Sequence, residues 1–181
     1  MTPPEPYLGV LDHTPVRHHI LSVLVENKAG VLARIAGLFA RRGFNIYSLA
    51  VAPAESNARF SRVTIVVDAE SAPLEQIVGQ LDKLVNVVAI TDISPKDALE
   101  RELLLATIQT DVDNRTSLLD IIASAGAAIV DVDAKSVTVM LAATPGNCDE
   151  FEKALEAFSD VELHRTGRVA LPRLGKTAHA Y

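Results

Sequence analysis

What most constrains the fold of this chain is that it repeats itself. Gly43-Phe44-Asn45-Ile46 lines up with Gly126-Ala127-Ala128-Ile129, and the same offset of 83 residues sets Ile35 on Leu118 and Leu38 on Ile121. A second register, offset by 74, carries Val63-Thr64-Ile65 onto Val137-Thr138-Val139, Leu81 onto Leu155, Leu84 onto Phe158 and Val87 onto Val161. The offset drops because the hairpin of the second copy is shorter. Self-similarity held at apolar positions in two registers means two copies of one supersecondary unit, each with its own core.

Within the first copy, His19 to Val25 (HILSVLV) is a nearly continuous apolar run and reads as a well-buried strand. After Gly30 the period changes: Val31, Leu32, Ile35, Leu38 and Phe39 fall on one face of a helix. Gly43 suits the left-handed residue that ends such a helix, and Arg41 and Arg42 complement its dipole. Asn45 to Ala52 is a strand, Asn57 marks a turn, and Ser61 to Asp68 is a further strand. Pro73 opens a second helix lined by Leu74, Ile77, Val78, Leu81 and Leu84, and Val87 to Ile93 is the fourth strand. The order βαββαβ is ferredoxin-like.

The second copy repeats that order. Glu102 to Gln109 is a strand, and Ser117, Leu118, Ile121, Ile122 and Ala125 belong to a helix. Ala128–Val132 and Ser136–Ala142 form a hairpin, Phe151, Leu155 and Phe158 line a helix, and Val161 to Arg165 is the last strand. The expectation is an α+β protein of two ferredoxin-like units in tandem: a flexible leader (1–17), a first domain (18–94), a linker (95–98), a second domain (99–174) and a tail (175–181).

Composition excludes several functions. Aromatics are 4% with no Trp, and the central runs SRVTIVV and SVTVMLA carry none, which argues against base stacking by a sheet of this topology. A net charge of −6 argues against nucleic acid and an anionic membrane surface. The single cysteine, Cys148, forms no intrachain disulfide, and no apolar run approaches a membrane span. The N-terminus lacks the order of a signal peptide, so a cytoplasmic protein is expected. His18 and His19 are adjacent, so on a strand they point to opposite faces and cannot chelate one metal together. Asp111, Asp113, Asp131 and Asp133 sit at turns and strand ends, where solvation explains them. Cys148 has no His–Asp set beside it and reads as a small residue at a helix start.

The candidate site lies at two joints of the first copy. At the start of the helix after Gly30, backbone N–H groups lack partners and the dipole favours an anion. Gly30 lets a carboxylate approach, Asn27 supplies an amide just upstream, and Asn45 supplies another at the next strand. Val31, Leu32 and Ile46 surround this polar spot with branched aliphatic surface, as an aliphatic amino acid requires. Turn chemistry alone accounts for each residue taken singly. The internal comparison favours a site: 83 residues on, Asn27, Gly30 and Asn45 become Thr110, Asp113 and Ala128, so the second copy keeps the frame and loses the ligand groups.

The stretches LSVLVENKAGVLARIAGLFARRGFNIYSLAV, SRVTIVVD and PLEQIVGQLDKLVNV resemble the regulatory (small) subunit of acetohydroxyacid synthase, also called acetolactate synthase. The likeness runs closely from about Arg17 to Asp92; ERELLLATIQT and IVDVDAKSVTV resemble the family's C-terminal domain more loosely. The resemblance implies that the first unit is an ACT domain and that the chain is non-catalytic. It implies activation of a catalytic subunit, feedback inhibition by valine or another branched-chain amino acid, and a homodimer paired through ACT domains. The effector residues implied are Asn27, Ala29, Gly30, Val31 and Leu32, with Asn45 and Ile46 from the partner chain. No cofactor is expected here; thiamine diphosphate, Mg and FAD are expected on the catalytic subunit. The alternatives are a stand-alone ACT sensor acting on another enzyme, and a small enzyme using Cys148 or a histidine.

Overall fold

The computed structural model describes residues 18–54, 58–68, 74–176 and 179–181, and shows two α+β units in the predicted order. The first comprises β1 (His18–Glu26), α1 (Val31–Arg42), β2 (Ile46–Pro53), β3 (Phe60–Asp68), α2 (Leu74–Leu81) and β4 (Val87–Ile93). Its antiparallel strands run β4-β1-β3-β2 across the sheet. Leu21, Val23 and Val25 alternate along β1 toward the helices, where they join Val63, Ile65 and Val67 of β3 against Ile35 and Phe39 of α1 and Ile77 and Leu81 of α2. The opposite face is covered at one end, because Ile20, Val66 and Ile93 pack on Ala98 and Ala170. Burial on both faces is why the β1 run is almost wholly apolar.

A single 3-10 turn, Pro95–Asp97, leads into the second unit: β5 (Ala98–Gln109), α3 (Val112–Ala125), β6 (Ala128–Val132), β7 (Ser136–Ala143), α4 (Pro145–Leu155), β8 (Val161–Arg165) and β9 (Val169–Pro172). The order is β6-β7-β5-β8, with β9 paired to the first residues of β5. Leu104, Ala106 and Ile108 of β5 join Val137, Val139 and Leu141 of β7 beneath Leu118 and Ile122 of α3 and Phe151 and Leu155 of α4. Last comes β10 (His179–Ala180), which returns to the edge of β4.

Several boundaries differ from the sequence reading. The segment expected as a linker is one turn running straight into β5, since Ala98 already pairs with Pro172. The expected tail contributes β10 to the first sheet. Leu84 and Phe158 lie one turn beyond their helices, with Leu84 N–H donating to Leu81 O and Phe158 N–H to Leu155 O, each at 3.0 Å. Spacing of three residues continues through such a turn, so an apolar period cannot mark where the α-helix stops. The leader, the turn at Asn57 and the helix start at Pro73 lie outside the described residues.

The repeat holds in detail. Gly43 (φ 70°) and Gly126 (φ 68°) close α1 and α3 in the left-handed conformation. Phe44 N–H returns to Phe39 O, and Ala127 N–H returns to Ile122 O. A bulge follows in both copies, at Tyr47 in β2 and at Val130 in β6. The β5–β7 register departs from the offsets by two residues: Leu21 faces Ile65, whereas Leu104 faces Leu141 instead of Val139. An even slip leaves the same faces inward, so hydrophobic patterning tolerates it.

Candidate functional site

The loop from Asn27 to Gly30 is braced from three sides. Asn27 N–H donates to Arg59 O (2.9 Å), and its side-chain Nδ2 donates to Ala58 O (2.8 Å). The Glu26 carboxylate accepts from Asn86 Nδ2 (2.6 Å) and Lys28 Nζ (3.0 Å), bonds that hold it below the ordinary carboxylate range. Asn86 in turn accepts from Arg34 Nη1 (3.0 Å), so Lys28 and Arg34 bring positive charge to the start of α1. Asn27 therefore serves the turn with one of its two amide donors. The loop ends at Gly30, the N-cap of α1, at φ 84°, and makes no side-chain capping bond. A Cβ built at Gly30 would meet nothing within 4 Å. Val31 is buried, Ala29 is exposed, and Leu32 is 43% exposed beside the helix start. Val31 N–H turns back to Lys28 O (3.3 Å), and no side chain caps the turn that follows, so the arrangement is a helix start without a carboxylate cap, flanked by two cations and an aliphatic side chain.

The second unit closes the equivalent place. Asp111 caps α3, its Oδ1 accepting from Asn114 N–H at 2.9 Å, and Asp113 stands in the first turn. Here α3 is two residues longer than α1, so the capping carboxylate is Asp111 and not Asp113, the residue that the offset placed on Gly30. Thr110 is buried and bonds to Asp111 O at 3.1 Å. Anion donors open in one copy are occupied by the chain's own carboxylate in the other.

Asn45 and Ile46 do not lie near Gly30 within one chain. Glu26 pairs with Phe60 at one end of β3, whereas Ile46 pairs with Val67 at the other. Seven residues of antiparallel strand at about 3.4 Å each separate the joints by roughly 24 Å. Asn45 Nδ2 instead donates to Asp68 Oδ2 at 3.0 Å. The sequence reading that set Asn45 near the helix start is wrong inside a protomer. Adjacent elements in sequence were connected by a helix that carries the chain back across the whole sheet.

Residues set aside on sequence grounds have local explanations. Cys148 is fully buried inside α4, and burial pushes its thiol pKa up. Asp133 Oδ1 accepts from Lys135 N–H and Ser136 N–H at 2.7 Å, and these bonds hold its pKa low. Asp131 accepts from Val132 N–H. Among the described residues no three His, Cys, Asp or Glu side chains are grouped to hold a metal, and no helix is long and apolar enough to cross a membrane. Sequence reasoning missed Arg165, which meets Glu102 (2.6 Å), Asp149 (2.7 Å) and Glu152 (3.0 Å). It also missed the contacts that tie the two units together. Glu102, Arg165, Thr166 and Gly167 line an open cleft of about 400 Å³ with Tyr47, Ser48 and Leu49 of the first unit, and Arg168 N–H donates to Ser48 Oγ beside it.

Two βαββαβ units in tandem, the first with a helix start that no carboxylate caps, form an ACT-like architecture. Residues 21–89 match the AHAS small subunit-like ACT domain, and residues 101–174 match the small subunit of acetolactate synthase. The acetolactate synthase small subunit of Mycobacterium bovis is 45% identical over 155 residues, spanning 86% of this chain and 92% of that protein. The Mycolicibacterium smegmatis small subunit is 42% identical over 155 residues, spanning 86% and 91%. The crystal structure of the acetolactate synthase small subunit from Thermotoga maritima superposes with a TM-score of 0.81 at 34% identity, covering 89% of this chain and 100% of that one. The chain belongs to the acetolactate synthase small-subunit family.

Proposed function

We propose that this chain is a non-catalytic cytoplasmic subunit that activates an acetolactate synthase catalytic subunit and makes it sensitive to a free branched-chain amino acid, foremost valine. The observation that carries the reading is the contrast between the helix starts: Gly30 leaves the α1 donors open, whereas Asp111 fills the α3 donors. An amino acid's carboxylate would take the place in the first unit that Asp111 takes in the second. Leu32 and the partner's Ile46 would receive the branched side chain, and the amides of Asn27 and the partner's Asn45 would orient the polar groups. Thiamine diphosphate, Mg and FAD belong, in this reading, to the catalytic subunit.

The same reading calls for a homodimer. Among the described residues no strand pairs with the outer edge of β2. Two β2 edges pairing antiparallel about a two-fold would reverse one sheet against the other. Residues near Ile46 of one chain would then face the Pro53 end of its partner, the end at which α1 starts. The pairing thus offers a route across the 24 Å, approximately, that separates Gly30 from Asn45 inside one chain. Ligand binding to a site shared by two chains would bias their relative arrangement, and an effector acts only through such a difference between states.

The test is calorimetric titration of the purified chain with valine, leucine and isoleucine, joined to acetolactate synthesis by the complex reconstituted with its catalytic subunit. Saturable binding, activation without effector and inhibition with valine are expected. Acetolactate formation by this chain alone, or valine-independent behaviour of the complex, would refute the proposal.

A further inference from the structure

The bulge at Tyr47 follows directly on Asn45 and Ile46, and bulges re-aim the side chain they carry. Tyr47 leaves the run of β2 to lie between two partners. Its ring is 4.3 Å from the His18 ring, and the Arg168 guanidinium sits 4.8 Å over it. His18 Nδ1 is 3.2 Å from Asp68 Oδ1, and the other oxygen of Asp68 accepts from Asn45. On the far side Arg168 reaches Glu100 Oε2 at 3.4 Å, in the second unit, while Arg168 N–H donates to Ser48 Oγ at 2.8 Å. Arg168 is itself buried. The approach is so close that a Cβ on Gly167 would lie 2.9 Å from Ser48 Oγ and 3.1 Å from Leu49 O. In the second copy the equivalent bulge residue is Val130, which has no ring for a cation to sit over, so the engagement is particular to the first.

We propose that Tyr47 and Arg168 form a coupling element through which a change at Asn45 and Ile46 is passed to β9 and β5 of the second unit, and that Arg168 is a positioning residue for effector response rather than for effector binding. The inference rests on the site assignment made above. Asn45 bonds Asp68, Asp68 stands within ion-pair distance of His18, and His18 and Arg168 flank the ring of the bulge residue. A ligand that draws on Asn45 shifts that arrangement, and Arg168 leads directly into β9, the strand that packs Ala170 on the first sheet. Such coupling runs through contiguous packed groups, and the bulge ring between His18 and Arg168 joins the first unit to the approach to β9.

The experiment uses the full chain and has two arms. In the first, without effector, amide hydrogen exchange is measured across Arg168–Leu171. Asn45→Ala is expected to speed exchange there by about threefold or more, and to add nothing when Arg168 is already Met. In the second arm valine is the probe. Arg168→Met should bind valine as the wild type does and activate the catalytic subunit normally, yet lose most of the valine inhibition, with Arg168→Lys restoring it through the retained charge over the ring. Ser48→Ala, a milder change, should move inhibition in the same direction. Unchanged inhibition in Arg168→Met, a parallel loss of valine affinity, or no effect of Asn45→Ala on the Arg168–Leu171 amides would overturn the proposal. If the wild type binds no valine, the site assignment falls and the first arm alone decides whether the coupling exists.

Discussion

Gly30 offers the cleanest perturbation, provided its backbone is treated first. At φ 84° any L-residue is strained, so Gly30→Ala should cost about 1–2 kcal/mol of stability. Its Cβ enters open space, and the helix N–H groups stay free, so valine affinity should hold. Gly30→Asp carries a comparable backbone cost and adds a carboxylate at the helix start, between Lys28 and Arg34. It would set a carboxylate beside the start of α1, as Asp111 stands at the start of α3, though from a left-handed rather than an extended backbone. Losing one charge-assisted hydrogen bond is worth about 1.5–3 kcal/mol, or roughly 10- to 150-fold in affinity. The difference between the Asp and Ala proteins therefore isolates the anion site from the strain. Calorimetric valine titrations supply the affinities, and thermal unfolding checks that the two variants are equally destabilised. Equal valine affinity in the two proteins would refute the assignment of the effector carboxylate to the start of α1.

Three further outcomes are expected. Mixing Gly30→Asp chains with Asn45→Ala chains should restore part of the high-affinity valine binding that neither has alone, because a two-fold dimer of unlike chains rebuilds one intact site; titration of the remixed sample against the parent samples checks this. His18 is depressed from 6.5, by burial first and then by Arg168, with Asp68 and Glu100 opposing. The unfolded chain therefore takes the proton first, so this contribution is full above pH 6.5 and is lost as pH falls through the lower folded value; urea unfolding across that range should show a slope that His18→Gln removes. Arg165→Met strands the Glu102 carboxylate, whose side chain is 6% exposed, and should destabilise the second unit by about 3–5 kcal/mol, with Glu102→Gln in the same chain recovering part of the loss by chemical denaturation.

What could be read from sequence was whatever repeats locally. Gly43 and Gly126, Leu81 and Leu155, and Val87 and Val161 occupy equivalent places because each answers to a helix end or a strand face within its own unit. The nearly continuous apolar run from His19 to Val25 identified a well-buried strand without any knowledge of its partners. What could not be read was contact at long separation. Arg168 N–H meets Ser48, 120 residues away, and nothing periodic announces it. The four residues of β9 are too few for a pattern, and the two of β10 fewer still. The candidate site was legible in its residue types, since an Asn-x-x-Gly turn before an aliphatic helix has a definite chemistry. Its geometry was not, because α1 carries the chain from one end of β3 to the other, and only the paired strands show that Asn45 ends far from Gly30.

The return of the tail to β4 bears on how large an assembly the first sheet can build. A sheet with two bare edges is a unit of indefinite growth: each added copy exposes another edge, and the product is a fibre. Here His179 and Ala180 pair with Asp92 and Thr91, and Tyr181 N–H reaches Ile90 O at 3.0 Å. Residues 179–181 thus cover part of that edge. The edge on that side is now β10, whose two residues make a poor template for another strand, so β2 is the longer open edge of the first sheet among the described residues. A blunted edge on one side and an open one on the other favours a counted association over an open-ended one.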